Sequence, residues 1–337
     1  MSIARAAALA AASVVWAVFA AVPDTARAQQ VAAEVDVTAG VSTDTTRAGA
    51  VQARLFGATA SDWRFYLEAS AAATKSDAPS DAFVSAYPYD RRVRPMEMFG
   101  EKMLRPGRAL VGFRAGRFRT PFGMGNRSDH AYSGFLRAPL IRYGTNFALS
   151  NTFLESGGEL LVGIPALYVQ TTIGMPSDEG KDRRKRGLDA VVRAQGYYRG
   201  LIVGTSFLHT EPSDRRSFVS GKMIFRGVDA RWMRSGLELR GEWIDGRPWS
   251  GVATSGGYLD AIIHKAAMGP VTAVARIERL DYDAGRFSAY YRRLTIGARV
   301  RVTSWLVGQA NFVRQPGGLS DGRDHAFDVA LTYSHRF

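Results

Sequence analysis

The chain of 337 residues contains five histidines, His130, His209, His264, His325 and His335, and no cysteine. None of the histidines has the HExxH spacing that sets two imidazoles on one helical face for zinc. Without cysteine there is no thiolate nucleophile, thiolate metal ligand or disulfide. Gly204-Thr205-Ser206-Phe207 lacks the nucleophile-elbow pattern. His209 and Glu211 fall at one expected strand end, a pairing that arises easily by chance. These residues supply no catalytic set, no metal site and no cofactor. The chemistry the chain does carry is arginine opposed to carboxylate. Lysine occurs only at 75, 102, 181, 185, 222 and 265, so most of the 44 basic residues are arginines and the formal net charge is +13. A guanidinium stays charged and forks onto carboxylates and phosphates, which suits it to anions.

The arginines fall in segments of period two. Trp63, Phe65, Leu67, Ala69 and Ala71 alternate with Arg64, Tyr66, Glu68 and Ser70. Leu294, Ile296, Ala298, Val300 and Val302 alternate with Arg293, Thr295, Gly297, Arg299 and Arg301. Alternation of this kind marks half-buried strands. One face of each is free of charge, as in Val35-x-Val37-x-Ala39, Ala190-x-Val192-x-Ala194 and Phe327-x-Val329-x-Leu331-x-Tyr333. A soluble sandwich also alternates. A barrel in lipid requires uncharged outer faces, because each charge facing hydrocarbon costs several kcal/mol. The charged faces then line a lumen. Arg54, Arg64, Arg193, Arg240, Arg276, Arg293, Arg299 and Arg301, together with Arg336, are expected on that wall. Glu34, Asp36, Glu68, Asp189, Glu238, Glu242, Glu278 and Asp328 oppose them, so the wall is nearly balanced in charge.

The segments number sixteen: 33–41, 50–60, 63–73, 96–104, 109–118, 157–164, 167–174, 188–195, 201–209, 223–232, 237–244, 257–266, 271–280, 292–302, 305–314 and 325–337. Fourteen or eighteen strands fit the same pattern. Most run about 8–11 residues, which suits a tilted membrane strand. Short connections, such as Ser61-Asp62 and Thr303-Ser304, alternate with longer ones at 74–95, 119–156, 175–187, 210–222, 245–256, 281–291 and 315–324. The fold class expected is an all-β, transmembrane antiparallel β-barrel of about 16 strands with a long third external loop. Residues 1–28 read as a signal peptide: Arg5, an apolar run from Ala6 to Val22, then Ala26-Arg27-Ala28 before Gln29. The barrel occupies 29–337, and export excludes nucleic acid as a partner.

The longest connection, 119–156, carries Arg119, Arg127, Arg137 and Arg142 against Asp129 and Glu155. Its apolar residues Phe122, Tyr132, Phe135, Leu140, Ile141, Tyr143 and Phe147 give it material to pack. Loops of this length in a compact protein are functional or disordered. The four arginines are the expected pore-constriction set. Two basic clusters, Arg91-Arg92-Val93-Arg94 and Lys181 to Arg186, lie in other long connections and suit the phosphates of lipopolysaccharide.

Two passages resemble known families. The C-terminal strand ending Tyr333-Ser334-His335-Arg336-Phe337 is similar to the terminal signature of bacterial outer-membrane barrels, which implies recognition by the barrel-assembly machinery. Gly116, Phe118, Pro121, Phe122 and Gly123 resemble the strand-to-loop passage of the phosphate-selective porin O/P family, within the porin superfamily. That resemblance implies a third loop folded into the pore, a homotrimer and an anion channel. The family's constriction lysines have no counterpart in 119–156.

The function expected is passive diffusion of small hydrophilic solutes across the outer membrane of a Gram-negative cell, with weak to moderate anion (or phosphate) preference. Its partners are outer-membrane lipid, lipopolysaccharide and small anionic or polar solutes. Two alternatives stay open: a barrel enzyme of protease or lipase type, and a barrel plugged by its own ion pairs with a structural or adhesive role.

Overall fold

The computed structural model describes residues 28–59, 61–75, 82–83, 93–124, 133–142, 154–177, 189–210, 223–249, 252–264, 268–285, 287–319 and 322–337. The expected signal segment up to Arg27, Arg127 and the Lys181–Arg186 cluster lie outside these residues.

Sixteen strands form one closed antiparallel barrel. They are β1 Ala28–Ser42, β2 Arg47–Thr59, β3 Trp63–Lys75, β4 Arg94–Leu104, β5 Leu110–Arg119, β6 Leu154–Ile164, β7 Leu167–Ser177 and β8 Asp189–Tyr198. The second half is β9 Leu201–Thr210, β10 Met223–Arg234, β11 Leu237–Trp249, β12 Val252–Ile263, β13 Val271–Asp283, β14 Ser288–Arg301, β15 Leu306–Arg314 and β16 His325–Arg336. Each strand pairs with its chain neighbours, and β1 closes on β16 from Glu34↔Arg336 to Ser42↔Asp328. Closure leaves no edge, so every strand finds backbone partners on both sides.

Burial is inverted relative to a water-soluble sheet. Leu160, Ile173, Val192, Val228, Ile277, Ile296 and Leu331 are exposed, whereas Asp229, Asp260, Asn311, Asp328 and Thr332 are buried. Period two places one set outside and the other inside. An apolar outer belt of this extent is stable only against an apolar surrounding. Aromatic pairs Trp63–Phe113 and Trp305–Tyr333, with ring centroids 5.2 and 5.6 Å apart, lie toward the end of the barrel that carries the chain termini.

All sixteen expected segments are strands, but several reach further. β11 runs to Trp249 and β12 starts at Val252, so the long connection expected at 245–256 shrinks to residues 250–251. Likewise 281–291 shrinks to 284–287 between β13 and β14. The strict short-and-long alternation is therefore not kept. Backbone pairing is indifferent to side-chain polarity, so strands carrying Asp245, Asp281 and Asp283 extend past the apolar belt.

Candidate functional site

The lumen is built by the inward faces and by the third connection at the end opposite the termini, between Arg119 and Leu154. Its entry is shaped by residues of the Gly116–Gly123 passage. Phe118 and Phe122 are fully buried, and Gly123 has φ +61°, a left-handed conformation natural to glycine. A Cβ at Gly123 would also collide with Glu242 and Arg142. The chain thus turns into the barrel just after β5.

From there the described part of the connection is bound to the wall strand by strand. Gly123 N donates to Ser206 Oγ of β9 at 3.0 Å. Arg142 forks onto Glu242 of β11, with Nε to Oε2 at 3.1 Å, and donates to Phe122 O at 2.8 Å. Leu140 N donates to Glu278 of β13 at 2.9 Å. Arg276 donates to Arg137 O at 3.1 Å, and Arg293 donates to Ala138 O. Asn311 of β15 donates to Gly134 O and accepts from Leu136 N, as a neighbouring strand would. Arg137 reaches Asp328 of β16 at 2.7 Å and Asp44, in the β1–β2 turn, at 2.8 Å. Apolar packing reinforces this: Phe122, Leu140 and Ile141 join Leu208, Phe225, Ile244 and Leu280 of the wall. The guanidinium of Arg276 lies 3.9 Å from the ring centroid of Phe135.

A second connection helps. Ala82 and Phe83, between β3 and β4, are buried, and Phe83 N donates to Leu136 O at 3.1 Å. Gly40 of β1 leaves the space that the Phe83 ring fills. This contact was not foreseen, because nothing local in 74–95 distinguishes two residues that pair with a loop more than fifty positions away.

The wall arginines fall into two groups. Under the connection, Arg193 pairs with Asp229 at 2.6 Å, Arg276 with Asp260 at 2.6 Å and Arg293 with Glu278 at 2.9 Å, all buried. Arg240 joins Asp260 at 2.9 Å, and Arg299 lies beneath Gly134. Arg301 is exposed at the terminus end of β14. Along β1–β5, toward the end that carries the termini, the lumen keeps free space. There a cavity of about 850 Å³ is lined by Glu34, Arg54, Arg64, Glu68, Glu97, Glu101, Arg114, Arg119 and Arg336.

Five arginines face four glutamates in this cavity, and they differ in their access to water. Arg64 is 54% exposed, Glu34 32% and Arg54 22%, whereas Arg114, Glu101, Glu97, Arg119 and Glu68 are 15% exposed or less. The carboxylates are taken up as partners: Asp36 and Glu34 by Arg54 at 2.7 and 3.3 Å, Glu101 by Arg114 at 2.8 Å, and Glu68 and Glu97 by Arg119 at 3.0 and 3.2 Å. Arg336 is exposed. Arg119, expected at the constriction, is buried at the inner end of β5. Arg137 and Arg142 are inside the barrel as anchors of the connection and are 2% or less exposed. Arg127 is outside the described residues. Arg114 is a wall arginine that the sequence reading passed over. Its signal was the alternation of Gly112 and Arg114 against Val111, Phe113 and Ala115.

The barrel resembles solved outer-membrane structures over nearly its whole length. OmpF of Salmonella typhi, solved with daunomycin, superposes with a TM-score of 0.65 at 12% identity, covering 91% of this chain and 97% of that one. OprB of Pseudomonas putida gives 0.62 at 12%, covering 91% and 93%. The outer membrane protein OmpT of Vibrio cholerae, in its trimer form, gives 0.59 at 13%, covering 91% and 98%. At such identities the likeness establishes the porin-type barrel fold. No family model and no curated protein sequence matches the chain.

Proposed function

We propose that the protein is an outer-membrane diffusion channel that passes small hydrophilic solutes with weak to moderate anion preference, its residues 1–28 being a leader removed on export. The observation that carries this reading is the cavity along β1–β5, where five arginines face four glutamates and the charged groups most open to water are Arg64 and Arg336. Low-dielectric walls focus such a field and raise the local concentration of anions. Arg54, Arg64 and Arg336 set the preference in this reading. Arg137 and Arg142 hold the connection that narrows the lumen. Phosphate is the first solute to try, on the strength of the Gly116–Gly123 passage alone.

The porin-type neighbours include a trimer form, which supports a homotrimer for this chain. Phe337, 71% exposed at the closing seam, is available to assembly machinery. The stitched third connection favours a second reading, a barrel plugged for a structural role. An enzyme reading would need clustered His with Asp or Ser, and His209, His264, His325 and His335 are spread over β9, the β12–β13 turn and β16.

Planar-bilayer recording in a potassium chloride gradient tests the proposal. Stepwise conductance with a reversal potential on the anion side is expected. No conductance from correctly folded protein would favour the plugged barrel.

A further inference from the structure

The outside of the barrel is not smooth across β9–β15. Ala230, Gly241 and Gly257 face outward on three consecutive strands and leave a diagonal groove of about 1140 Å³. Val228, Leu239, Leu259 and Ile277 flank it, all exposed. Trp243 lies over Gly257, its register partner, where any Cβ would meet the indole.

The far end of the groove is basic. Arg279 and Arg292 are register partners, and Arg314 pairs with Leu294, the next outward position on β14. The ring of Tyr290 stands between the first two, with centroid distances of 5.1 and 4.8 Å. Arg279 is bonded to Asp281 at 2.7 Å. Arg292 and Arg314 are exposed and have no ion-pair partner among the described residues. Asp283 tops β13 above them, and Asp245 faces outward on β11.

The height of these arginines is informative. Outward positions on β13 run Val271, Ala273, Ala275, Ile277 and then Arg279. Eight residues at about 3.3 Å each, tilted about 40°, rise about 20 Å. Against an apolar band of about 25 Å, the guanidiniums stand near the far headgroup boundary. A charge is nearly free of cost at that level and costly at the midplane.

We propose that this groove is a binding site for a membrane lipid whose phosphate headgroup carries net negative charge, with acyl chain along Leu239, Gly257 and Ile277 and phosphate at Arg279, Arg292 and Arg314. The proposal rests on the membrane reading of the barrel. Charge complementarity selects this occupant: Arg292, which donates to the Tyr290 hydroxyl, and Arg314 top an apolar trough without a carboxylate partner among the described residues, and phosphate above hydrocarbon is the matching arrangement. A second copy of the chain would have to bring carboxylates to the same place.

The test uses the intact protein reconstituted in phosphatidylcholine vesicles containing brominated phosphatidic acid or, separately, brominated phosphatidylcholine at equal mole fraction. Bromine quenches nearby indoles, and subtraction of the Trp243→Phe variant isolates the signal of Trp243. At least twofold stronger quenching by brominated phosphatidic acid is expected, and Arg279→Gln, Arg292→Gln and Arg314→Gln together should abolish the excess. Equal quenching by the two lipids, or an excess that survives the triple substitution, would overturn the proposal. So would quenching by neither lipid accompanied by disulfide cross-linking of Leu259→Cys between copies, since the groove would then be a subunit contact. All three arginines face away from the lumen, so conductance measured on the same variant reports separately on the channel. Lipid preference without conductance in the parent protein would sink the channel and leave the groove.

Discussion

The guanidinium of Arg137 grips both carboxylate oxygens of Asp328, Nε to Oδ2 at 2.7 Å and Nη2 to Oδ1 at 2.9 Å, across 191 positions of sequence. Both side chains are almost wholly buried. Removing one partner of a buried pair leaves an uncompensated charge and costs about 3–5 kcal/mol. Arg137→Gln should therefore free the third connection, seen as a lower unfolding temperature and as flickering single-channel current. Arg137→Gln combined with Asp328→Asn should cost less than the sum of the two, because Asp328 is then neutral. Strict additivity would show that the pair does not hold the connection.

Selectivity should respond to different arginines. Arg54→Gln with Arg64→Gln should move the reversal potential toward cations, since these side chains reach water in the β1–β5 cavity. The shift should be larger at 0.1 M than at 1 M salt, where the Debye length falls from about 10 to about 3 Å. Arg142→Gln, whose parent side chain is covered by Glu242, should alter current noise more than ion preference. The reverse pattern would return the filter to the third connection.

The two faces of β8 should differ sharply. Val192 is outward and 42% exposed, and Val192→Arg should destabilise the barrel by about 2–4 kcal/mol if it lies near the bilayer midplane. Gln195 is on the inward parity, and Gln195→Arg should cost well under half as much. Urea titration of vesicle-reconstituted protein measures both. Equal costs would mean that the outer belt does not meet lipid.

Gly123→Ala tests the inward turn. A left-handed φ costs a residue with a Cβ about 1–2 kcal/mol, before the collision with Glu242 and Arg142 is counted. Larger conductance with loss of folded yield is the expected result. Unchanged conductance would show that the turn tolerates a side chain and does not aim the connection.

Strand facing was legible in the sequence because period two writes it into each segment, as in Trp63–Ala71 and Leu294–Val302, while the count of sixteen was legible only to within two strands. Strand ends were less legible. Asp245, Asp281 and Asp283 look like loop residues, yet pairing continues through them above the apolar belt. The inward arginines were also readable, since parity alone decides the face. Which of them meet water was not readable. Arg276 and Arg64 sit in similar alternating patterns, and only the path of a distant connection covers one and leaves the other open. The anchoring role of Arg137 was hidden for the same reason: its partners, Asp44 and Asp328, lie at opposite ends of the chain.

The position of those two partners bears on how the barrel is made. Asp328 stands on the last strand, opposite Ser42, and Asp44 follows just beyond the first. The seam where the chain meets itself therefore carries two carboxylates within reach of a single guanidinium. A cylinder that shut with its third connection still outside would have like charges facing each other at the join. With Arg137 already in place, the same two groups attract a common partner. Docking of the third connection and closure of the seam are thus coupled through one guanidinium, each supporting the other.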